Sequence, residues 1–134
     1  MNKKQVTQLS YDITGFAIKV HKELGFGLLE VIYEACLKYE LEKAGHSVVS
    51  QLAIPTMYDE LELDVSLKLD LLVDDIVVVE LKAVETILPV HKAQLFTYMH
   101  LLKKPQGLLI NFYTDNILRN MRPLVNRYFS GLDD

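Results

Sequence analysis

The alternation of apolar and polar positions divides the chain into helical and extended parts. Val6, Leu9, Ile13, Phe16, Ala17, Val20 and Leu24 recur at the spacing of one helix face. The first segment therefore reads as an amphipathic helix, broken at Gly25-Phe26-Gly27. A second helix is expected from about Leu28 to Ala44, stopped by Gly45. Extended segments follow. Ser47 to Met57 carries Pro55, which suits an edge strand. Leu61-Glu62-Leu63-Asp64-Val65 alternates like a half-exposed strand, and Lys68 to Val73 runs extended toward a turn at Asp74-Asp75. Ile76 to Val79 is a β-branched run of the kind found in a central strand buried on both faces. Pro89 stands as the first residue of a helix that reaches about Lys103. Gly107 to Phe112 reads as one more buried strand, and Thr114 or Asp115 can cap a short final helix. The expected fold class is α/β. The passage from strand to helix to strand between Ile76 and Phe112 implies a parallel pair joined by a crossover.

Composition changes this picture little. The chain has 134 residues, 50% of them hydrophobic and 24% charged, which fits one domain spanning 1–134 with a substantial core. No apolar run approaches a membrane span, and the segment after Met1 is too polar for a signal peptide. Cys36 is the only cysteine, so a disulfide framework, a zinc knuckle and an iron–sulfur cluster within one chain are excluded. Cys36 reads as a small buried hydrophobe. These points favour the cytoplasm and no membrane partner; the oligomeric state is left open, a homodimer included.

Charge does change the picture. The net charge is −4, whereas a protein held on duplex nucleic acid mainly by phosphate contacts is usually basic. Arg119, Arg122 and Arg127 are all close to the C-terminus, and Lys103-Lys104 is the densest other basic pair near the core. Any nucleic-acid contact is expected to be local. Each of these cations is equally well read as a solvated surface charge.

The informative residues are those that break the burial pattern. Glu80 and Lys82 extend the most apolar strand and share one face of it, with Leu81 on the other. Burying a carboxylate and an ammonium is costly unless each is paired or holds a metal. A Glu–Lys pair emerging into water at a strand end is the plain alternative. Asp70 interrupts the preceding strand. A two-residue loop at Asp74-Asp75 would turn it away from Glu80, while a three-residue loop or a bulge would put both carboxylates on one face. Glu30 falls between Leu37 and Leu41 on the helical wheel and so points along the buried stripe; a salt bridge to a lysine explains it equally well. Gln94 shares a face with Val90, Tyr98 and Leu101, where a hydrogen-bonded core glutamine is the ordinary reading. One cause accounts for all of these: carboxylates and a lysine converging on a hard-cation site, with oxygen ligands that suit Mg2+ or Mn2+ rather than zinc.

The segment Gly27-Leu28-Leu29-Glu30-Val31-Ile32-Tyr33 has the form GxxExxY. With Asp70-Leu71-Leu72-Val73, Val79-Glu80-Leu81-Lys82-Ala83-Val84-Glu85, Pro89-Val90-His91-Lys92-Ala93-Gln94-Leu95, Tyr98 and Gly107 to Phe112, it resembles the GxxExxY protein family, a branch of the PD-(D/E)XK nuclease superfamily. The resemblance covers roughly residues 15 to 125. It implies a restriction-endonuclease-like core of helix, three-stranded meander, crossover helix and further strand, here with an extra N-terminal helix. It implies that Asp70 and Glu80 bind the metal, that the backbone carbonyl of Leu81 completes the shell, and that Lys82 orients the attacking water. Glu30 then lies near the site as a further ligand, and Gln94 matches a polar residue facing the site. Lys68 departs from the arginine frequent in relatives. The implied activity is a metal-dependent phosphodiesterase acting on DNA or RNA. The rival is a catalytically silent copy of the fold that serves as a binding module.

His91 lies one helical turn from Gln94, within reach of a phosphate; His21, His46 and His100 read as surface residues. No Ser-His-Asp or Cys-His arrangement has supporting context, and Gly25-Phe26-Gly27 lacks the strand that precedes a phosphate-binding loop.

Overall fold

The computed structural model describes residues 1–134. Helix α1 (Lys3–Leu24) begins at a capping box in which Asn2 and Gln5 exchange side-chain and backbone hydrogen bonds. Its buried face is Val6, Leu9, Ser10, Ile13, Ala17 and Val20; of the predicted stripe, Phe16 is half-buried and Leu24 exposed. Helix α2 (Glu30–Lys43) starts two residues later than expected. Leu28 and Leu29 stay outside it because the loop before them is tied down. Gly27 takes φ of 103°, and the Tyr33 hydroxyl donates to the Gly25 carbonyl (2.7 Å) and accepts from the Leu28 N–H (3.2 Å). The Tyr33 ring stacks on Phe112 with centroids 4.4 Å apart. The tyrosine of the GxxExxY segment is thus a fully buried anchor that sets where α2 begins. Cys36 is half-buried, less enclosed than expected.

The main sheet has five strands in the order β1 (Val48–Ile54), β4 (Leu67–Val73), β5 (Val77–Lys82), β6 (Gln106–Asn111), β7 (Met121–Val125). β1 is an edge strand, as Pro55 implied. β1, β4 and β5 form an antiparallel meander. Helix α3 (Pro89–Leu102) connects β5 to β6, and those two strands are parallel. This is a mixed α/β fold of the restriction-endonuclease-like kind, preceded by an N-terminal helix.

Two expected elements differ. The alternating stretch Leu61 to Val65 forms only β3 (Leu61–Glu62), which pairs with β2 (Met57–Tyr58) in a separate two-stranded sheet whose residues are all exposed. Its alternation has no core to face. The final helix is replaced by a 3-10 turn (Leu118–Asn120), strand β7 and the short helix α4 (Arg127–Ser130), capped by Asn126 rather than Thr114 or Asp115. β7 pairs with β6 from Gln106–Val125 to Ile110–Met121 and accommodates Pro123 as an edge strand can. The three arginines are therefore spread over a turn, a strand and a helix.

Apolar side chains fill both faces of the sheet. On one face α1 and α2 pack on Leu71, Val73, Val77, Val79, Leu81, Leu108 and Ile110. On the other, Leu95, Tyr98 and Met99 of α3 pack on Leu69, Leu72, Val78 and Leu109. At Gly107 α3 comes close: an added Cβ would lie 2.7 Å from Met99 Sδ and 3.0 Å from Leu95 Cγ. No helix is long and apolar enough to cross a membrane.

Candidate active site

The β4–β5 hairpin decides which way its carboxylates face. Val73 pairs with Val77 and Leu71 with Val79, which leaves Asp74, Asp75 and Ile76 in the loop and Asp70 opposite Glu80. Of the two loops open from the sequence, this is the three-residue one, and Ile76 belongs to the turn rather than to the strand. Asp74 and Asp75 both adopt left-handed backbone, with φ of 52° and 57°. Asp74 is more than a solvated turn residue. Its carboxylate accepts from the Ser47 N–H (2.8 Å) and lies 2.7 Å from His46 Nδ1, which fastens the turn to the start of β1.

Beyond Leu71 the β4–β5 backbone ladder gives way to side chains. The Asp70 N–H donates to Glu80 Oε1 (2.9 Å), and the Leu81 N–H donates to Asp70 Oδ2 (2.9 Å). Val77, Val79 and Leu81 face α1 and α2, so strand alternation turns Glu80 and Lys82 toward the α3 side. Glu80 is 6% exposed. Burial pushes its carboxyl up to about 8; the Asp70 and Glu30 charges push the same way, and the Asp70 N–H and Lys82 only partly offset them. Lys82 Nζ lies 4.0 Å from Glu80 Oε2. The chain just after Lys82 is fixed by Asn111, which has no exposed surface. Asn111 accepts from the Val84 and Tyr113 N–H groups and donates to the Val84 carbonyl (2.7 Å). The Phe112 N–H donates to the Lys82 carbonyl (2.9 Å).

Glu30 and Gln94 do not sit where the helical wheels placed them. Glu30 is exposed, because it is the first residue of α2 and the buried stripe starts only at Tyr33. It nevertheless borders the site. Partial desolvation raises its carboxyl above the usual range, Lys82 draws it down, and Asp70 raises it further. Gln94 is exposed along with Val90 and Leu101. The face of α3 that packs on the sheet is Leu95, Tyr98 and Met99. Tyr98, on that packed face, lies within the field of the carboxylates: burial raises its hydroxyl, and the charges of Glu80 and Asp70 add to this. His91 Nδ1 accepts from the Leu88 N–H (3.0 Å), which commits that nitrogen to the N-terminus of α3. His21 Nε2 bonds the Thr114 carbonyl at 2.7 Å.

Two residues at the site were not singled out from the sequence. Gln51 Nε2 donates to Glu34 Oε1 (2.6 Å) and to Asp70 Oδ1 (3.2 Å). Desolvation raises the Glu34 carboxyl and Asp70 adds to this, with Gln51 and Lys38 opposing. Glu34 had a signal, since it follows Glu30 by four residues and so shares its helix face. Gln51, an uncharged residue in an edge strand, had none.

A family model described as the PD-(D/E)XK nuclease superfamily matches residues 7–123. No curated protein and no solved structure gives a significant match. The five-stranded mixed sheet, with its antiparallel meander and parallel crossover pair, is a nuclease-like fold, and Asp70, Glu80 and Lys82 lie together on it. The chain belongs to the PD-(D/E)XK nuclease superfamily.

Proposed function

We propose that the protein is a divalent-metal-dependent phosphodiesterase acting on DNA or RNA, a cytoplasmic, one-domain member of the superfamily of the GxxExxY type. The observation that carries this reading is the interlocked carboxylate pair of Asp70 and Glu80, with the Glu80 carboxyl held up at about 8. Burial and the neighbouring half-buried Asp70 carboxylate disfavour the charged form of Glu80, and a divalent cation between them would restore it. No three His, Cys, Asp or Glu side chains draw together closely enough to hold a metal ion by themselves. The fit is therefore to Asp70 and Glu80, with the Leu81 carbonyl, water and Glu30 as the further oxygen donors. An all-oxygen set suits Mg2+ or Mn2+.

When bound, the cation would supply Lewis-acid polarisation of a phosphate oxygen and an acidified water. The chain's own residues do the rest. Lys82, tethered near Glu80 by charge, orients the water for in-line attack. Asn111 holds the backbone that follows Lys82 and so fixes where that amine stands. Gln94 is exposed on α3 and would be free to contact a bound substrate. Lys92 and Arg122 share a hollow of about 270 Å3 with Ile87, Leu88 and Pro89. There they offer phosphate contacts of the local kind that a chain of charge −4 requires.

The test is cleavage of single- and double-stranded DNA and of RNA in Mn2+ and in EDTA, by wild type and by Lys82→Ala. Cleavage by wild type in Mn2+ alone is expected, with none by the variant. A wild type that binds Mn2+ and nucleic acid yet cleaves neither DNA nor RNA would favour the binding module instead.

A further inference from the structure

We propose that Gln51 is a positioning residue: its amide holds the Asp70 carboxylate in the orientation that accepts a divalent cation. This rests on the metal-dependent reading above and goes beyond the residues that the nuclease motif names.

The first observation is conformational. Gln51 lies inside β1 with φ of +52°. A residue with a Cβ reaches this left-handed region at a cost, and glycine, asparagine and aspartate account for most such cases. The strain is not the by-product of an inserted residue. Ser50 pairs with Leu71 and Leu52 with Leu69, so the register is the same on either side and Gln51 stands directly opposite Asp70. What changes is the face. Val48 packs with the core under α1 and α2, whereas Leu52 and Ile54 pack with the core under α3. In the partner strand Leu71 belongs to the first core and Leu69 to the second. Both strands cross from one core to the other at the same paired position, and Asp70 is the residue at the crossing. Strain of this kind persists only where surrounding contacts over-determine it.

The second observation is what the strained residue reaches. One amide nitrogen serves two carboxylates, Glu34 Oε1 at 2.6 Å and Asp70 Oδ1 at 3.2 Å. With the Leu81 N–H on Oδ2, both oxygens of Asp70 have a fixed donor. Glu34 and Asp70 are close enough for their charges to repel, and the Gln51 amide offsets this by donating to both. Without the amide, Asp70 would lose one of its two anchors and turn away from Glu34. A group that orients a metal ligand through a hydrogen bond typically matters about 10–100-fold to metal affinity. No other side chain donates to the Asp70 carboxylate in the structure.

The experiment uses the full chain with Mn2+ as the probe. Calorimetric titration gives the Mn2+ affinity, and metal-free melting gives stability, for wild type, Gln51→Gly and Gln51→Ala. Glycine fits the left-handed backbone and alanine does not, but both remove the amide. The expected result is a loss of Mn2+ affinity of about tenfold or more in both variants. The glycine variant should melt no lower than wild type and the alanine variant below the glycine one. Metal affinity then falls without loss of stability, which a purely structural role would not produce. Wild-type affinity in the glycine variant overturns the proposal. If wild type binds Mn2+ and both variants bind it equally well, this inference falls and the nuclease reading stands. If wild type itself ignores Mn2+, both fall.

Discussion

Asp70 and Glu80 are joined main chain to side chain across two strands: the Asp70 N–H donates to the Glu80 carboxylate, and the residue after Glu80 donates its N–H to the Asp70 carboxylate. The two acids are thus held together by backbone hydrogen bonds that each favour the ionised carboxylate, against the repulsion between them. Glu80→Gln keeps an acceptor for the Asp70 N–H and removes the proton uptake that folding demands of Glu80 at neutral pH. Its metal-free melting temperature at pH 7–8 should rise by a few degrees, and the stabilisation by Mn2+ should vanish. Asp70→Asn should not gain in the same way. Both Asp70 oxygens accept hydrogen bonds, and an asparagine amide would present a donor to one of those donors. A parallel rise in both variants, read by melting with EDTA and with Mn2+, would contradict this asymmetry.

The raised Glu80 carboxyl sets a pH dependence with a definite sign. Its folded value of about 8 stands above its unfolded value, so the folded state holds the extra proton in between. Its contribution to metal-free stability is fully present below the unfolded value, near 4.5, and is lost as pH climbs toward 8. A cation competes with that proton, so the Mn2+-induced shift should grow over the same interval. Melts from pH 5 to 9 with and without Mn2+ measure both slopes; a metal shift that shrinks with rising pH would count against the site.

Lys82 is expected to matter to chemistry and little to folding. Its ion pair with Glu80 is long, at 4.0 Å, and its side chain keeps some solvent contact. Lys82→Ala should remove cleavage while leaving Mn2+ affinity within a fewfold of wild type and changing stability by about 1 kcal/mol or less. Equal cleavage rates for variant and wild type would discard the assigned role.

Tyr33 is predicted to act on the site from a distance. Tyr33→Phe keeps the stack on Phe112 and removes the bonds to the Gly25 carbonyl and the Leu28 N–H. The expected cost is about 1–2 kcal/mol. Amide exchange should quicken at Gly27 and Leu28, ahead of Glu30, more than in the sheet. Uniform quickening through the whole molecule would show that the hydroxyl secures global stability instead.

Gly107 tests the α3 packing. The Cβ of Gly107→Ala would meet Met99 Sδ at 2.7 Å, which should cost about 1–3 kcal/mol through displacement of α3. Calorimetric melting checks it, and Gly107→Ala should cost less in a Met99→Ala background than in wild type.

Much of this architecture was legible because burial writes itself into periodicity. The α1 stripe, the β-branched run of β5 and the proline at the start of α3 each have one physical interpretation, and the structure follows them. Asp70, Glu80 and Lys82 stood out because a charge inside an apolar strand needs a reason. Glu30 was misplaced because a helical wheel does not show where along the helix the neighbouring layer begins, and Gln94 because Val90, Phe96 and Leu101 are exposed, so apolarity around α3 does not mark its packed face. β7 was missed because an edge strand with a proline and two exposed positions carries little alternation. Gln51 was invisible because left-handed backbone at a glutamine arises from the contacts around it, which no local pattern records.

The common crossing of β1 and β4 between the two cores has a genetic consequence. Gln51 and Asp70 turn their strands over together, and the pairs on either side keep a single register. A substitution that straightened one strand alone would leave its neighbour's leucines facing the wrong layer. Positions 51 and 70 should therefore show epistasis, with the effect of a change at one depending on the residue at the other. In a mutational scan of β4, Lys68 before the crossing should tolerate any polar residue, whereas Leu71, Leu72 and Val73 beyond it, buried on both faces, should not. A family alignment would carry the same mark as covariation between a strained edge-strand position and a motif aspartate.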